Sequence, residues 1–281
     1  MITAINYWSF EHGLTNEHPV GAAAEQAARA GFEAIELAIG QTGVLSVTSS
    51  RDDCRRIRGE VEAAGIRLES IGSGMTWGCS PSHPDPAVRR KAIELHEAAL
   101  QRTAWLGCKS LLFIPGAVSI PWDSSYPFVP YESAYNWAQD ATRTLVATAE
   151  RLKVELCIEN VWNGLFYSPL EYRDFIDSIG SSYVGAYFDA GNCMGQHQYP
   201  PHWIEVLGAR IKRVHLKDFK RSVGNLDGFC DLMEGDQPWA ETIQALRWVG
   251  YNRTLTAEMI PFAPGRIEKT GQALKAILQV Q

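Results

Sequence analysis

The sequence predicts an α/β fold, a closed parallel (β/α)8 TIM barrel that occupies residues 1–281 as a single domain. Three observations carry this expectation. Short apolar or β-branched runs recur at intervals of about 30 residues or more, with helix-periodic stretches between them. Gly31, Gly65, Gly107 and Gly250 each stand just before such a run, where a chain leaving a helix needs a left-handed residue. Eight such runs suit a barrel, which commonly takes ~250 residues, better than the competing open doubly wound sheet.

The runs fall near residues 2–7, 33–39, 66–72, 109–114, 154–159, 183–188, 211–216 and 254–259. The clearest helix lies between the third and fourth. Asp85 is placed to cap it, Pro86 suits its first turn, and Gly107 closes it. Along it apolar Ala92, Leu95, Ala99 and Leu106 alternate with charged Arg89, Arg90, Glu94 and Glu97. Irregular stretches near 73–84, 115–130 and 217–235 follow strands three, four and seven. In a parallel barrel all three lie on the face where catalytic loops gather.

Composition narrows the function. The net charge is −6 and no run of Lys or Arg stands out, so a nucleic-acid groove is not expected. The N-terminus enters a strand-like run without a charged n-region or apolar h-region, and no apolar stretch approaches ~18 residues. The six cysteines are scattered without a C-x-x-C pair, which reads as reduced thiols in a cytoplasmic protein. No membrane partner is expected.

Four runs end in side chains suited to a metal: Glu159, Asp189, His215 and Glu258. Strand C-termini of a parallel barrel form a ring at one mouth, so these four should converge. Three carboxylates and one imidazole suit a single divalent ion, with Mn²⁺ first on the oxygen-rich set and Mg²⁺, Co²⁺ or Zn²⁺ also compatible. Taken singly, each could be a polar strand end bonded to a loop; four on consecutive units point to a site.

The segments Ile158-Glu159-Asn160, Asp189-Ala190-Gly191-Asn192, Val214-His215-Leu216-Lys217-Asp218 and Ala257-Glu258-Met259, with Glu234-Gly235-Asp236 downstream, resemble the xylose-isomerase-like barrel superfamily. Within it the likeness is to the sugar phosphate isomerase/epimerase group that includes ketose and pentulose-5-phosphate 3-epimerases. The resemblance implies one divalent metal on Glu159, Asp189, His215 and Glu258, with Glu159 and Glu258 as the acid and base. It implies a ketose or ketose-phosphate substrate, epimerised by proton removal and return through an enediolate whose charge the metal offsets. A lyase or dehydratase acting on a keto-polyol or 3-keto-glycoside is the competing reading. Relatives are often dimers or tetramers, so a homo-oligomer stays open.

Two departures bear on the branch. Asn192 stands where epimerases of free ketoses commonly carry a histidine, and Leu165 where they tend to carry a second glutamate. The Asp-x-Gly-Asn form resembles the pentulose-5-phosphate branch. A phosphate would need cations, and Lys220, Arg221 and Arg266 are the candidates, Arg221 first. Asn160, Asn192 and Glu36 are candidate substrate contacts, with a loop cap the alternative for Asn160 and an ordinary barrel-interior carboxylate the alternative for Glu36, and Lys217 and Asp218 are read as braces for His215 or for each other. Tyr7, Trp8, Trp77, Trp122 and Trp162 are candidates to wall a sugar pocket, with core packing the plain alternative.

Overall fold

Eight parallel strands close into a barrel in the computed structural model, which describes residues 1–280. In chain order the elements begin with β1 (Ile2–Asn6), α1 (Val20–Arg29), β2 (Ala34–Ile39), α2 (Arg51–Ala63), β3 (Arg67–Ser73), α3 (Pro86–Trp105) and β4 (Ser110–Phe113). They continue through α4 (Tyr131–Leu152), β5 (Glu155–Glu159), α5 (Pro169–Ile179), β6 (Val184–Asp189), α6 (Ala190–Gly195), α7 (Pro200–Leu207) and β7 (Ile211–Leu216). A two-stranded hairpin, β8 (Asp218–Phe219) with β9 (Phe229–Cys230), precedes α8 (Trp239–Trp248), β10 (Thr254–Ala257) and α9 (Arg266–Gln279). The barrel order is β1-β10-β7-β6-β5-β4-β3-β2, so each barrel strand pairs with its sequence neighbours and β1 closes the ring on β10.

All eight expected runs are barrel strands, displaced by a residue or two at their ends. The hairpin within the expected loop after β7 adds two short strands, and α6 is a further helix between β6 and β7. Local chemistry sets the helix boundaries. Asp85 accepts a hydrogen bond from the Ala87 amide, Pro86 opens α3, and Gly107 leaves it at φ +72°. Ser50 and Asp53 form a reciprocal capping box on α2. On α1 the buried residues are Val20, Ala23, Ala24 and Ala27, a one-sided stripe that seats the helix against the barrel. No helix among the described residues is long and apolar enough to cross a membrane.

The main apolar core lies between barrel and helices, and a second small cluster fills the barrel itself. Leu112, Cys157 and Tyr187 belong to this inner cluster, with Ile114 and Val161 above them. Below it, at the N-terminal end, Arg213 donates to Ser110 and Thr254, while Ser110 donates to Glu155. Strand alternation stacks these layers, since every second residue points inward. The same period carries Glu159 above Cys157, Asp189 above Tyr187 and His215 above Arg213, at the C-terminal mouth.

Candidate metal centre and active site

Glu159, Asp189, His215 and Glu258 converge as expected, each offering one ligand atom, with all four atoms within 4.8 Å of one another. Strand pairing produces this. Asp189 is in register with His215, and Glu258 follows β10 directly, beside His215 on β7. Because the barrel order runs β10-β7-β6-β5, the two glutamates stand at the ends of an arc with His215 and Asp189 between them. Glu159 and Glu258 reach the cavity at the mouth, whereas Asp189 and His215 are completely buried beneath it.

The imidazole is oriented from behind. His215 Nε2 lies 2.7 Å from Glu36 Oε1, and that carboxylate also accepts from Asn6 Nδ2 at 2.7 Å, Ser70 Oγ at 2.6 Å and the Tyr187 hydroxyl. Glu36 is an acceptor in this network, so the Nε2 proton belongs to His215. Its Nδ1 then faces the arc, and against burial the charges of Glu36 and Glu258 hold the imidazole pKa well above its usual value, so without an ion this nitrogen is protonated as well. It meets Glu159 Oε1 at 3.2 Å, Glu258 Oε2 at 3.7 Å and Asp189 Oδ2 at 4.0 Å. Burial alone would raise the Glu36 carboxyl, but the His215 charge and hydrogen bond, with those from Ser70 and Tyr187, hold its pKa below the usual range.

Three carboxylates and one imidazole nitrogen facing one another are a donor set that a shared cation would suit. The Lys217 ammonium is 2.9 Å from Asp189 Oδ2 and also contacts Glu258 Oε2, yet neither oxygen receives a directed hydrogen bond. Four buried carboxylates, Glu36 included, surround one lysine and one imidazole, an excess of negative charge that burial makes costly. Burial foremost, with the charge of Glu258, pushes Glu159 up to about 7 against the pull of His215 and Lys217. Asp189 is raised for the same first reason. The donor set, its spacing and its unsatisfied oxygens fit a divalent ion.

A cavity of about 980 Å³ opens above the quartet. Trp8, Trp77, Trp122 and Trp162 line it, together with Asn192, Lys217, Phe229 and Cys230. Burial pushes the Cys230 thiol up to about 11, which leaves it protonated and a poor nucleophile. Among the described residues, the cations that line the cavity are Lys217 and Arg266, and each is held by carboxylates: Lys217 as above, Arg266 by Asp231 with Nε to Oδ1 at 2.8 Å.

A family model described as the xylose isomerase-like TIM barrel matches residues 24–279. The chain belongs to this family. D-psicose 3-epimerase of Ruminiclostridium cellulolyticum is 23% identical over 256 residues, covering 90% of this chain and 80% of that protein. A crystal structure of D-psicose 3-epimerase with D-tagatose from Clostridium cellulolyticum H10 matches with a TM-score of 0.80 at 18% identity, over 100% of this chain and 99% of that one. L-ribulose 3-epimerase matches with a TM-score of 0.79 at 17% identity, over 99% and 94% of the two chains. At such identities the structural likeness speaks for the fold.

Within this xylose isomerase-like barrel, several residues sit elsewhere than the sequence suggested. Glu36 is hidden behind His215 and lines no part of the cavity, so it positions the imidazole instead of touching substrate. Asn160 is also hidden. Its Nδ2 donates to the Asp189 carbonyl and its Oδ1 accepts from the Asp189 amide, clamping β5 to the end of β6. Asn192 does line the cavity, with Nδ2 donating to the Asn160 carbonyl and its amide to Asp189 Oδ1. Leu165 is fully buried in the apolar core. Arg221 and Lys220 are exposed and outside the cavity, because the Arg221 amide is tied back to Asp236 Oδ2 at 2.8 Å. Tyr7 is core, its hydroxyl donating to the His18 carbonyl.

Asp218 does not brace His215. Its carboxylate accepts from the amides of Phe219, Gly235 and Gln237, gathering the Glu234-Gly235-Asp236 segment onto β8. A side chain at Gly235 would collide with the Asp218 carboxylate, which gives the glycine its reason. Tyr187, Ser70 and Asn6, the partners of Glu36, were not singled out from the sequence. Tyr187 was within reach, since it lies two residues before Asp189 and strand alternation places both inside the barrel.

Proposed function

We propose that this protein is a divalent-metal-dependent sugar epimerase or isomerase that removes and returns a proton on a carbon beside a ketone. The single observation that carries the reading is the arc of Glu159, Asp189, His215 and Glu258, in which Asp189 Oδ2 and Glu258 Oε2 receive no directed hydrogen bond and whose two ends open on the cavity. The same four residues would hold the ion, Mn²⁺ being the first candidate. Once bound, it would polarise a ketone oxygen and offset negative charge developing there.

Glu159 and Glu258 approach the cavity from opposite ends of the arc, so each can serve one face of a substrate carbon. Asp189 and His215 lie too deep to touch the reacting carbon and serve as ligands. Asn192 and the Trp162 ring, whose Nε1 donates to the Asn192 carbonyl at 3.1 Å, wall the space above Asp189. The small apolar cluster below the quartet closes the floor against water.

The D-psicose and L-ribulose 3-epimerases among its relatives support a ketose-type sugar as substrate and epimerisation as outcome. The test is exchange of carbon-bound hydrogen. The protein is incubated with Mn²⁺ in D₂O and a panel of ketoses, ketose phosphates and keto-glycosides, and deuterium is followed by NMR. Exchange with appearance of a new stereoisomer at unchanged formula is expected. Loss of water would turn the assignment to a lyase, and no exchange by metal-loaded protein would overturn it.

A further inference from the structure

The N-terminal end of the barrel, opposite the quartet, holds a second cavity of about 460 Å³. Its wall is mostly charged. Arg67, Lys109, Lys153, Arg213 and Arg253 line it, against two carboxylates, Glu69 and Glu155. Tyr183, Asn252 and Thr254 add polar groups, and Ile2 is the one aliphatic side chain. These five cations gather in a chain whose net charge is −6. Barrel order explains the clustering. Arg67 opens β3, Lys109 precedes β4 and Lys153 stands just before β5, on three neighbouring strands. Arg213 on β7 and Arg253 before β10 come from an adjacent pair across the barrel.

Both acids are committed to the second pair. Glu155 takes Arg253 in a two-pronged contact at 2.5 and 3.0 Å and accepts from Ser110 as well. Glu69 lies 3.7 Å from Arg213, whose guanidinium donates to Ser110, Thr254 and the Glu69 carbonyl. At 2% exposure Arg213 is a fixed cationic floor. Arg67, Lys109 and Lys153 differ. They are exposed at the rim and, among the described residues, form no ion pair and no side-chain hydrogen bond. The backbone adds an independent observation. Lys153 leaves α4 at φ +56°, the left-handed position that Gly65, Gly107 and Gly180 fill before β3, β4 and β6. Glycine suits that conformation best, yet here a lysine holds it and its side chain lines the cavity.

We propose that this cavity binds a small molecule carrying a diphosphate group. Three cations without partners match the roughly three negative charges of a diphosphate ester at neutral pH. Like charges around a concavity with low-dielectric walls focus a positive potential, which a bound polyanion relieves. Pyrophosphate has nine heavy atoms. At about 30 Å³ each it takes about 270 Å³, which leaves room for an organic substituent beside Tyr183. A nucleic-acid strand does not suit the site, because the cations converge on the barrel axis and form no groove that could track a backbone. The inference is independent of the proton-transfer chemistry, since the two cavities share no residue.

The test is calorimetric titration of the full chain at fixed ionic strength, with no divalent metal added because pyrophosphate chelates such ions. Inorganic pyrophosphate, inorganic phosphate, sulfate and a single-stranded oligothymidylate are compared. Pyrophosphate should bind at least about tenfold more tightly than phosphate or sulfate. Lys109→Gln combined with Lys153→Gly should weaken it about tenfold or more, the scale for losing hydrogen bonds to a charged group. Lys153→Gly alone should weaken binding with an equal or higher melting temperature, since glycine accepts the left-handed backbone. Sulfate or the oligonucleotide binding as tightly as pyrophosphate would overturn the assignment. Affinity untouched by the double variant would overturn it too, by placing the anion elsewhere, the quartet included. A Lys153→Gly protein that melts lower and binds pyrophosphate as before would make the lysine a helix cap and nothing more.

Discussion

Glu36 and His215 meet at 2.7 Å with neither more than 1% exposed, one from β2 and the other from β7. Their sequence separation is 179 residues, and the barrel brings them together across its interior. Because the carboxylate accepts a hydrogen bond from Nε2–H, the imidazole presents Nδ1 to the other ligands. Replacing the charge while keeping the shape, as in Glu36→Gln, should therefore weaken Mn²⁺ binding by about 10- to 100-fold with little change in fold. Calorimetric titration of metal-stripped protein, with circular dichroism as control, checks this. Unchanged affinity would mean that the imidazole needs no carboxylate to set its tautomer.

Lys217 lies beside the same oxygens that a metal would take, 2.9 Å from Asp189 Oδ2 and in contact with Glu258. Lys217→Met removes the one ammonium among buried carboxylates. Metal-stripped variant should lose about 3 kcal/mol of stability, the scale for leaving a buried charge uncompensated. Mn²⁺ should recover most of that loss and bind more tightly than to the parent, since no tethered cation competes. Thermal melts with and without EDTA decide it, and equal destabilisation in both would show a packing role only.

Metal binding should also depend on pH through Glu159. Its pKa of about 7, raised first by burial, means that below neutrality the carboxyl is protonated and the ion must displace a proton. Affinity falls as pH falls through 7. Between pH 8 and pH 6 the Mn²⁺ dissociation constant should rise about tenfold or more, since Glu159 must lose its proton and His215, whose pKa is raised as well, must lose one too. A flat profile over that range would exclude proton competition at this site.

His96 offers a separate pH effect, away from the quartet. It is fully buried on α3, its Nδ1 bonded to the Ala92 carbonyl at 2.8 Å and its ring edge-on to Phe113 at 4.7 Å. Burial lowers its pKa to about 4, against about 6.5 in an unfolded chain. Between those values the unfolded state binds the extra proton, so stability present above pH 6.5 is lost as pH falls toward 4, by about 3 kcal/mol in all. Urea unfolding at pH 7 and pH 4.5 should show this slope in the parent and a smaller one in His96→Gln. Equal slopes would assign acid sensitivity to other groups.

The four quartet residues were legible in the sequence because each stands within one residue of a strand's end, and a strand end can be read from its own few neighbours. The barrel was legible for the same reason: strand runs, cap glycines and the Asp85-Pro86 helix start are local signals. Glu36 was visible as a residue, but its partner lies on another strand across the interior. Asp218 was misread because it adjoins Lys217 in sequence. Alternation sends successive side chains to opposite sides, so His215 and Lys217 face the site while Asp218 turns to the backbone of residues 235–237.

By itself, then, the sequence determined the architecture and the ring of metal-type side chains, both of which follow from periodicity and residue type within short windows. Tertiary structure alone decided that Glu36 holds His215 from behind, that Lys217 contacts Asp189 and Glu258, and that Arg221 and Lys220 stay outside the cavity. These depend on distances between strands and loops remote in the chain. Barrel closure and strand register set such distances, and no local window contains them.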